Sequence, residues 1–160
     1  MATDAFLKLE GVKGESKDSK HPDEIELLSW SWGASQPGSM HTSGGGGVGK
    51  ASFSDLSIQK FVDSSSPTLW KFLTKGSHFA TGTFVQRKAG GEQVEYFVID
   101  LKKILVSSVS TGGSGGDEQL TESISLNFEE FKLSYVPQKD DGTAGAAIDF
   151  GWNIAENVEK

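Results

Sequence analysis

Alternation of apolar and polar residues at a period of two runs through most of this chain. A chain so patterned buries its apolar side as strands of a sheet. Ala5, Leu7 and Leu9 alternate with Phe6, Lys8 and Glu10. Glu24 to Gly33 reads EIELLSWSWG, with Leu28, Trp30 and Trp32 on one face and Ser29 and Ser31 on the other. Two tryptophans two residues apart predict a heavily buried face, because each ring brings a large apolar area. The serine face opposite is expected to meet water or a partner.

Strand character returns at Ser52 to Phe61. Phe79 to Lys88 and Val94 to Ser107 predict a hairpin around Ala89-Gly90-Gly91-Glu92. In its second strand Phe97, Ile99 and Leu101 share one face and Val94, Tyr96 and Val98 the other. That predicts cover on both sides, or one exposed face used in assembly. Gln119 to Val136 carries Ile124, Leu126 and Phe128 on one parity and Phe131, Leu133 and Tyr135 on the other. The switch at Glu129-Glu130 predicts a bulge or bend that takes the strand round a corner. Ile148, Phe150, Trp152 and Ile154 alternate in a last strand.

One helix is signalled, with Ser66 as N-cap, Pro67 in the first turn, an apolar stripe of Leu69, Trp70, Phe72 and Leu73, and Gly76 just past the end. About seven strands and one short flanking helix predict a mainly β fold, a compact β-barrel of two packed antiparallel sheets. Residues 12–23, VKGESKDSKHPD, read as a charged loop. Residues 34–50 have no periodicity and form an extended loop, longer than compact domains use without a functional reason. No linker divides the chain, so residues 1–160 are expected to form a single domain.

The 160 residues suffice for one hydrophobic core, and the absence of cysteine removes disulfides, thiolate metal sites and a cysteine nucleophile. A formal net charge of −7 argues against nucleic acid and anionic membranes as partners. The first residues, MATDAFLKLEG, lack the basic and apolar regions of a secretory signal, and no apolar stretch nears the ~20 residues of a membrane-spanning helix. If the protein leaves its cell, a dedicated machine must carry it.

Three patterns resemble chemistry. Gly44 to Lys50 fits G-x-x-x-x-G-K, but Ala51 stands where a phosphate loop needs a hydroxyl, and no helical period follows. Gly112 to Gly116 fits G-x-S-x-G around Ser114, but His21, His41 and His78 all lie upstream and a strand pattern follows. The histidines lack metal-ligand spacing, and Asp140-Asp141-Gly142 reads as a turn. No catalytic residue, metal or cofactor is expected, and the chain reads as a structural or binding protein, not an enzyme.

The segments Val12 to Asp18 (VKGESKD), Ser29 to Gly33 (SWSWG), the glycine loop Gly44 to Lys50, Leu105 to Gly116, Leu120 to Phe128, Ser134 to Gly142 and Gly151 to Ile154 occur together and in order. In that combination the chain resembles, over nearly its whole length, the haemolysin-coregulated protein (Hcp) family of bacterial type VI secretion. The resemblance implies a β-barrel with a flanking helix and no catalytic activity. It implies a homo-hexameric ring with a wide pore, and rings stacked into an inner tube. A contractile sheath propels that tube, with a spike protein, from the cytoplasm and out of the cell without a signal peptide. The pore can carry or chaperone effector proteins. Ser31, and with it Ser29, then line the pore and contact cargo. Gly44, Gly45, Gly46, Gly47, Val48, Gly49 and Lys50 belong to the loop that reaches neighbouring subunits or rings. Two other readings compete: a monomeric β-sandwich module for a carbohydrate or protein, and an enzyme acting at Ser114 or Lys50.

Overall fold

The computed structural model describes residues 2–38 and 49–160, so Gly44, Gly45, Gly46, Gly47 and Val48 of the expected contact loop, and His41, lie outside the described residues. In chain order the strands are β1 (Thr3–Leu9), β2 (Ile25–Glu26), β3 (Ser29–Ser31), β4 (Ala34–Ser35), β5 (Ser52–Phe53) and β6 (Leu56–Phe61). Helix α1 (Ser66–Lys75) follows, then β7 (His78–Lys88), β8 (Glu95–Gly112), β9 (Thr121–Tyr135), β10 (Ile148–Asn153) and β11 (Val158–Glu159). The fold is mainly β with one short helix, as expected.

Every strand pair is antiparallel. The hydrogen-bonded order runs β11-β10-β9-β8-β7-β1-β2, with β6 also on β9 and β3 on β6. β9 serves three partners because it is long: Thr121 to Leu126 pair with β6, while Glu130 to Tyr135 pair with β10. The chain between β2 and β3 links the two ends of the system. The Leu27 N–H donates to the Ala5 carbonyl on β1, and the Leu28 N–H donates to the Gln59 carbonyl on β6.

That crossing explains a departure from the alternation pattern. Glu24 to Gly33 is two short strands with different partners, so parity is lost at the crossing. Leu27 takes the buried place and Leu28, expected on the buried face, is 50% exposed. Trp30 and Trp32 pack against the core but are half-buried. Trp30 rests on Phe84 at 4.5 Å and donates its Nε1–H to Gln86 at 2.6 Å, and Trp32 meets Phe131 edge-on at 4.8 Å. Each indole thus keeps its polar end satisfied at the rim while its ring covers the core.

The parity switch at Glu129-Glu130 is present, and β8 shares it. Burial passes from Ile124, Leu126 and Phe128 to Phe131 on β9, and from Ile99 and Leu101 to Ile104 and Val106 on β8. Lys102 lies opposite Glu130 and Ile104 opposite Phe128, so both strands turn at one level, with Lys103 between at φ 52°. A non-glycine residue in that region absorbs the extra twist of a bend. Lys102–Glu130 at 3.2 Å and Lys103–Glu129 at 3.0 Å straddle it outside.

α1 packs on β8, with Leu69 buried and Phe72 stacked on Phe79 at 4.1 Å. Trp70, expected in the buried stripe, faces outward at 43% exposure. Ser65, not Ser66, is the N-cap residue; the Ser66 hydroxyl is drawn instead to Glu122 at 2.5 Å. Gly76 closes the helix at φ 65°, as its position predicts.

Candidate functional site

Ser29 and Ser31 are exposed and opposite in sense to Trp30. Their surroundings come from register. Ser31 lies opposite Ser57, Ser57 opposite Ser125, and Ser125 opposite Ser108. Two residues along, Ser29 lies opposite Gln59, Gln59 opposite Ser123, and Ser123 opposite Ser110. The outer face of β3-β6-β9-β8 therefore carries two adjacent rows of short polar side chains, seven serines and one glutamine, with no charge among these eight. Strands spaced about 4.8 Å apart make such a face roughly 15 Å wide. The row between them, Trp30, Ile58, Ile124 and Val109, points to the core. Of these eight, the alternation in the sequence marks Ser29 and Ser31. The other six stand in the same x-apolar-x pattern at Ser57-Ile58-Gln59, Ser108-Val109-Ser110 and Ser123-Ile124-Ser125, but their common face depends on register.

At the contact loop, β4 pairs with β5 through Ala34 opposite Phe53 and Ser35 opposite Ser52. Gly49 lies against Pro37, where a Cβ would come within 2.7 Å of the proline ring. Lys50 is exposed and runs into β5, where a phosphate loop would run into a helix. Ser114 donates to Asp117 at 3.0 Å within one turn, and a strand follows, not the helix of a nucleophile elbow. Asp141 accepts the Thr143 hydroxyl at 2.6 Å in a turn closed by Gly142, and this holds its carboxyl below the usual range. Among the described residues no group of acids and histidines could hold a metal ion, and no helix is long and apolar enough to cross a membrane.

Two buried charge clusters lie outside the apolar residues that the alternation pattern marks. Lys60 and Glu122 are opposite one another on β6 and β9, both on the inward parity, and both buried. Lys60 Nζ reaches Glu122 Oε1 at 2.6 Å and Asp63 Oδ1 at 2.9 Å. Arg87 is 1% exposed and pairs with Asp18 and Asp4. Its hydrogen bonds hold the Asp18 carboxyl far below the usual carboxylate range, against the opposing effect of desolvation. The available signal was parity: Lys60 follows Leu56 and Ile58, and Glu122 precedes Ile124 and Leu126, each at steps of two.

A family model described as "Type VI secretion system effector, Hcp" matches residues 6–135. Protein hcp1 of Pseudomonas aeruginosa is 53% identical over 161 residues, spanning 99% of each chain. The chain belongs to the Hcp family of type VI secretion. Its fold agrees with solved Hcp structures. A type six secretion system protein superposes with a TM-score of 0.94 at 33% identity, over 99% of this chain and 100% of that one. Hcp1 from Salmonella typhimurium gives 0.84 at 36% identity over the whole of both chains. Hcp proteins are structural components of the secretion machine and not enzymes.

Proposed function

We propose that residues 1–160 act as one ring-forming unit of the type VI inner tube, with the hydroxyl-bearing face of β3-β6-β9-β8 turned toward the bore. The carrying observation is the pair of rows on that face: four strands wide, largely exposed and uncharged in a chain of net charge −7, with the Asp55 carboxylate at their border, where it accepts from Asn127 at 2.9 Å and Ser107 at 2.5 Å. A lining of short hydroxyls hydrogen-bonds to a polypeptide of either charge without repelling it. Ser31, and after it Ser29, are the cargo contacts proposed within that lining. Ser29 is already engaged, donating to Gln59 at 3.2 Å, which leaves Ser31 the freer group.

A closed ring needs a heterologous interface, one patch of each copy meeting a different patch of the next. The loop of Gly44 to Gly47, Val48, Gly49 and Lys50 is proposed to reach a neighbouring subunit or ring. Stacked hexamers, spike protein and contractile sheath complete the partner set. The protein would reside in the cytoplasm before firing and then be secreted without a signal peptide, with no cofactor. Light scattering behind a sizing column, with negative-stain images of the peak, tests the reading. A mass near six times the 17.1 kDa chain with ring-shaped particles is expected. A monomer at high concentration overturns it and favours a monomeric binding module.

A further inference from the structure

The loop of residues 12–24 does not hang free. It lies over β1 and covers Phe6, which is 1% exposed although its neighbour Leu7 takes the core side. His21 stacks on the Phe6 ring, with centroids 4.5 Å apart and planes 13° from parallel, and is itself buried. Both of its ring nitrogens meet carboxylates. Nδ1 is 2.9 Å from Oε2 of Glu24 at the end of the loop, and Nε2 is 2.7 Å from Oε1 of Glu95 at the start of β8.

A neutral imidazole offers one N–H and one lone pair, and an ionised carboxylate only accepts. With His21 neutral, one of the two contacts would set a lone pair against a carboxylate oxygen. Both become hydrogen bonds when the cluster holds one further proton, carried most directly as imidazolium. The other charged groups packed on the cluster are Asp18, Arg87 and Asp4. Asp18, on the same loop, accepts the His21 backbone N–H at 3.2 Å and pairs with Arg87 of β7. Arg87 lies over Phe6 at 5.0 Å and pairs also with Asp4 of β1. Two carboxylates, Glu24 and Glu95, thus meet the imidazole, and two more, Asp18 and Asp4, meet the guanidinium.

We propose that His21 is a proton-dependent latch: as imidazolium it clamps the loop of residues 12–24 to β8, and loss of its proton releases the clamp at Glu95. Glu95 is the partner that lets go, because its side chain is 40% exposed and can turn to water, whereas that of Glu24 is 13% exposed and three residues away. The sign follows from the donor count: the latch holds on the acid side and loosens as pH rises and the imidazole deprotonates. The release reaches the approach to α1, since Glu15 accepts the Ser64 N–H at 2.8 Å and the Lys13 carbonyl accepts the Ser64 hydroxyl at 3.1 Å. The latch lies within one chain and is independent of the tube reading.

Hydrogen exchange followed by mass spectrometry on the full-length protein tests it. Protection of the peptide spanning residues 14–24 is referenced to peptides of β9, which cancels the intrinsic pH dependence of exchange. Between about pH 5.5 and about pH 8.5 the wild-type loop is expected to lose protection about tenfold, the size of one lost charge-assisted hydrogen bond. E95Q supplies an amide donor to the neutral Nε2, so its loop should stay protected at both pH values. Equal pH dependence in wild type and E95Q overturns the latch. So does a wild-type loop whose referenced protection is the same at both ends, which decides the matter even if E95Q fails to fold.

Discussion

The Lys60 ammonium and the Glu122 carboxylate face each other at 2.6 Å from directly opposed positions on β6 and β9, both sealed from water. Removing one member of such a pair strands the other charge. Glu122→Leu should lower stability by about 3 kcal/mol, at the low end of the usual range because Asp63 still faces Lys60 at 2.9 Å. The double variant Lys60→Met, Glu122→Leu should recover most of that loss. Urea unfolding of the three proteins checks this, and a double variant weaker than the single one would refute it.

Gly14 lets two backbones touch. Its N–H donates to the Asp23 carbonyl at 2.7 Å, and a Cβ there would sit 2.7 Å from the carbonyl carbon of Glu24. Gly14→Ala must push residues 23–25 away, at a cost of about 1–3 kcal/mol. Thermal unfolding should show a lowered midpoint; an unchanged midpoint would mean that the loop yields freely.

Trp30 covers Phe84 and Phe97 and holds Gln86. Trp30→Ala should cost about 3 kcal/mol, the lower end for a large aromatic because the ring is half-buried. Trp30→Phe should cost less, losing chiefly the bond to Gln86. Chemical denaturation ranks the two, and equal costs would show that the hydrogen bond, not the ring, matters.

Acid should loosen the same loop by another route. Arg87 holds the folded-state Asp18 carboxyl below its usual range, so the unfolded chain takes up that proton first as pH falls. The contribution is complete above the ordinary carboxylate pKa of about 3.9 and fades below it. Asp18→Asn should be less stable than wild type at neutral pH, and the gap should narrow as the solution is acidified below about pH 4. Unfolding midpoints across that range provide the check; a constant gap would place the effect elsewhere.

Ser31→Arg tests the lining. Rings should form as in wild type, while retention of a cognate effector falls, because a long cation replaces a hydroxyl in an uncharged row. Unchanged co-purification of the effector would remove Ser31 from the cargo contacts.

Much of this architecture was legible because period-two alternation is a local signal. The bend at Glu129-Glu130 could be read from Phe128 and Phe131 alone. The fate of Leu28 could not, because it depends on which strand the chain leaves at Leu27 and which it joins next. Trp70 fell in a plausible helical stripe, but the contact of α1 with β8 selects Leu69 and Phe72 and turns Trp70 outward. The site was half legible: Ser29 and Ser31 show in one strand, whereas their six companions share a face only through registers across three strand pairs. The cover of Phe6 by His21 was hidden for a related reason, since residues 12–23 carry no period.

The shared bend of β8 and β9 has a mechanical side. Both strands pass through it unbroken, joined by ladder on either side of Lys103 and Glu129. Force entering at one end of this pair is carried to the other by covalent backbone, not handed across a side-chain contact. The ladder is then loaded in shear, with its rungs sharing the strain together. A protein built this way resists being pulled lengthwise more than being peeled from the short strands β2 and β11 at its margins.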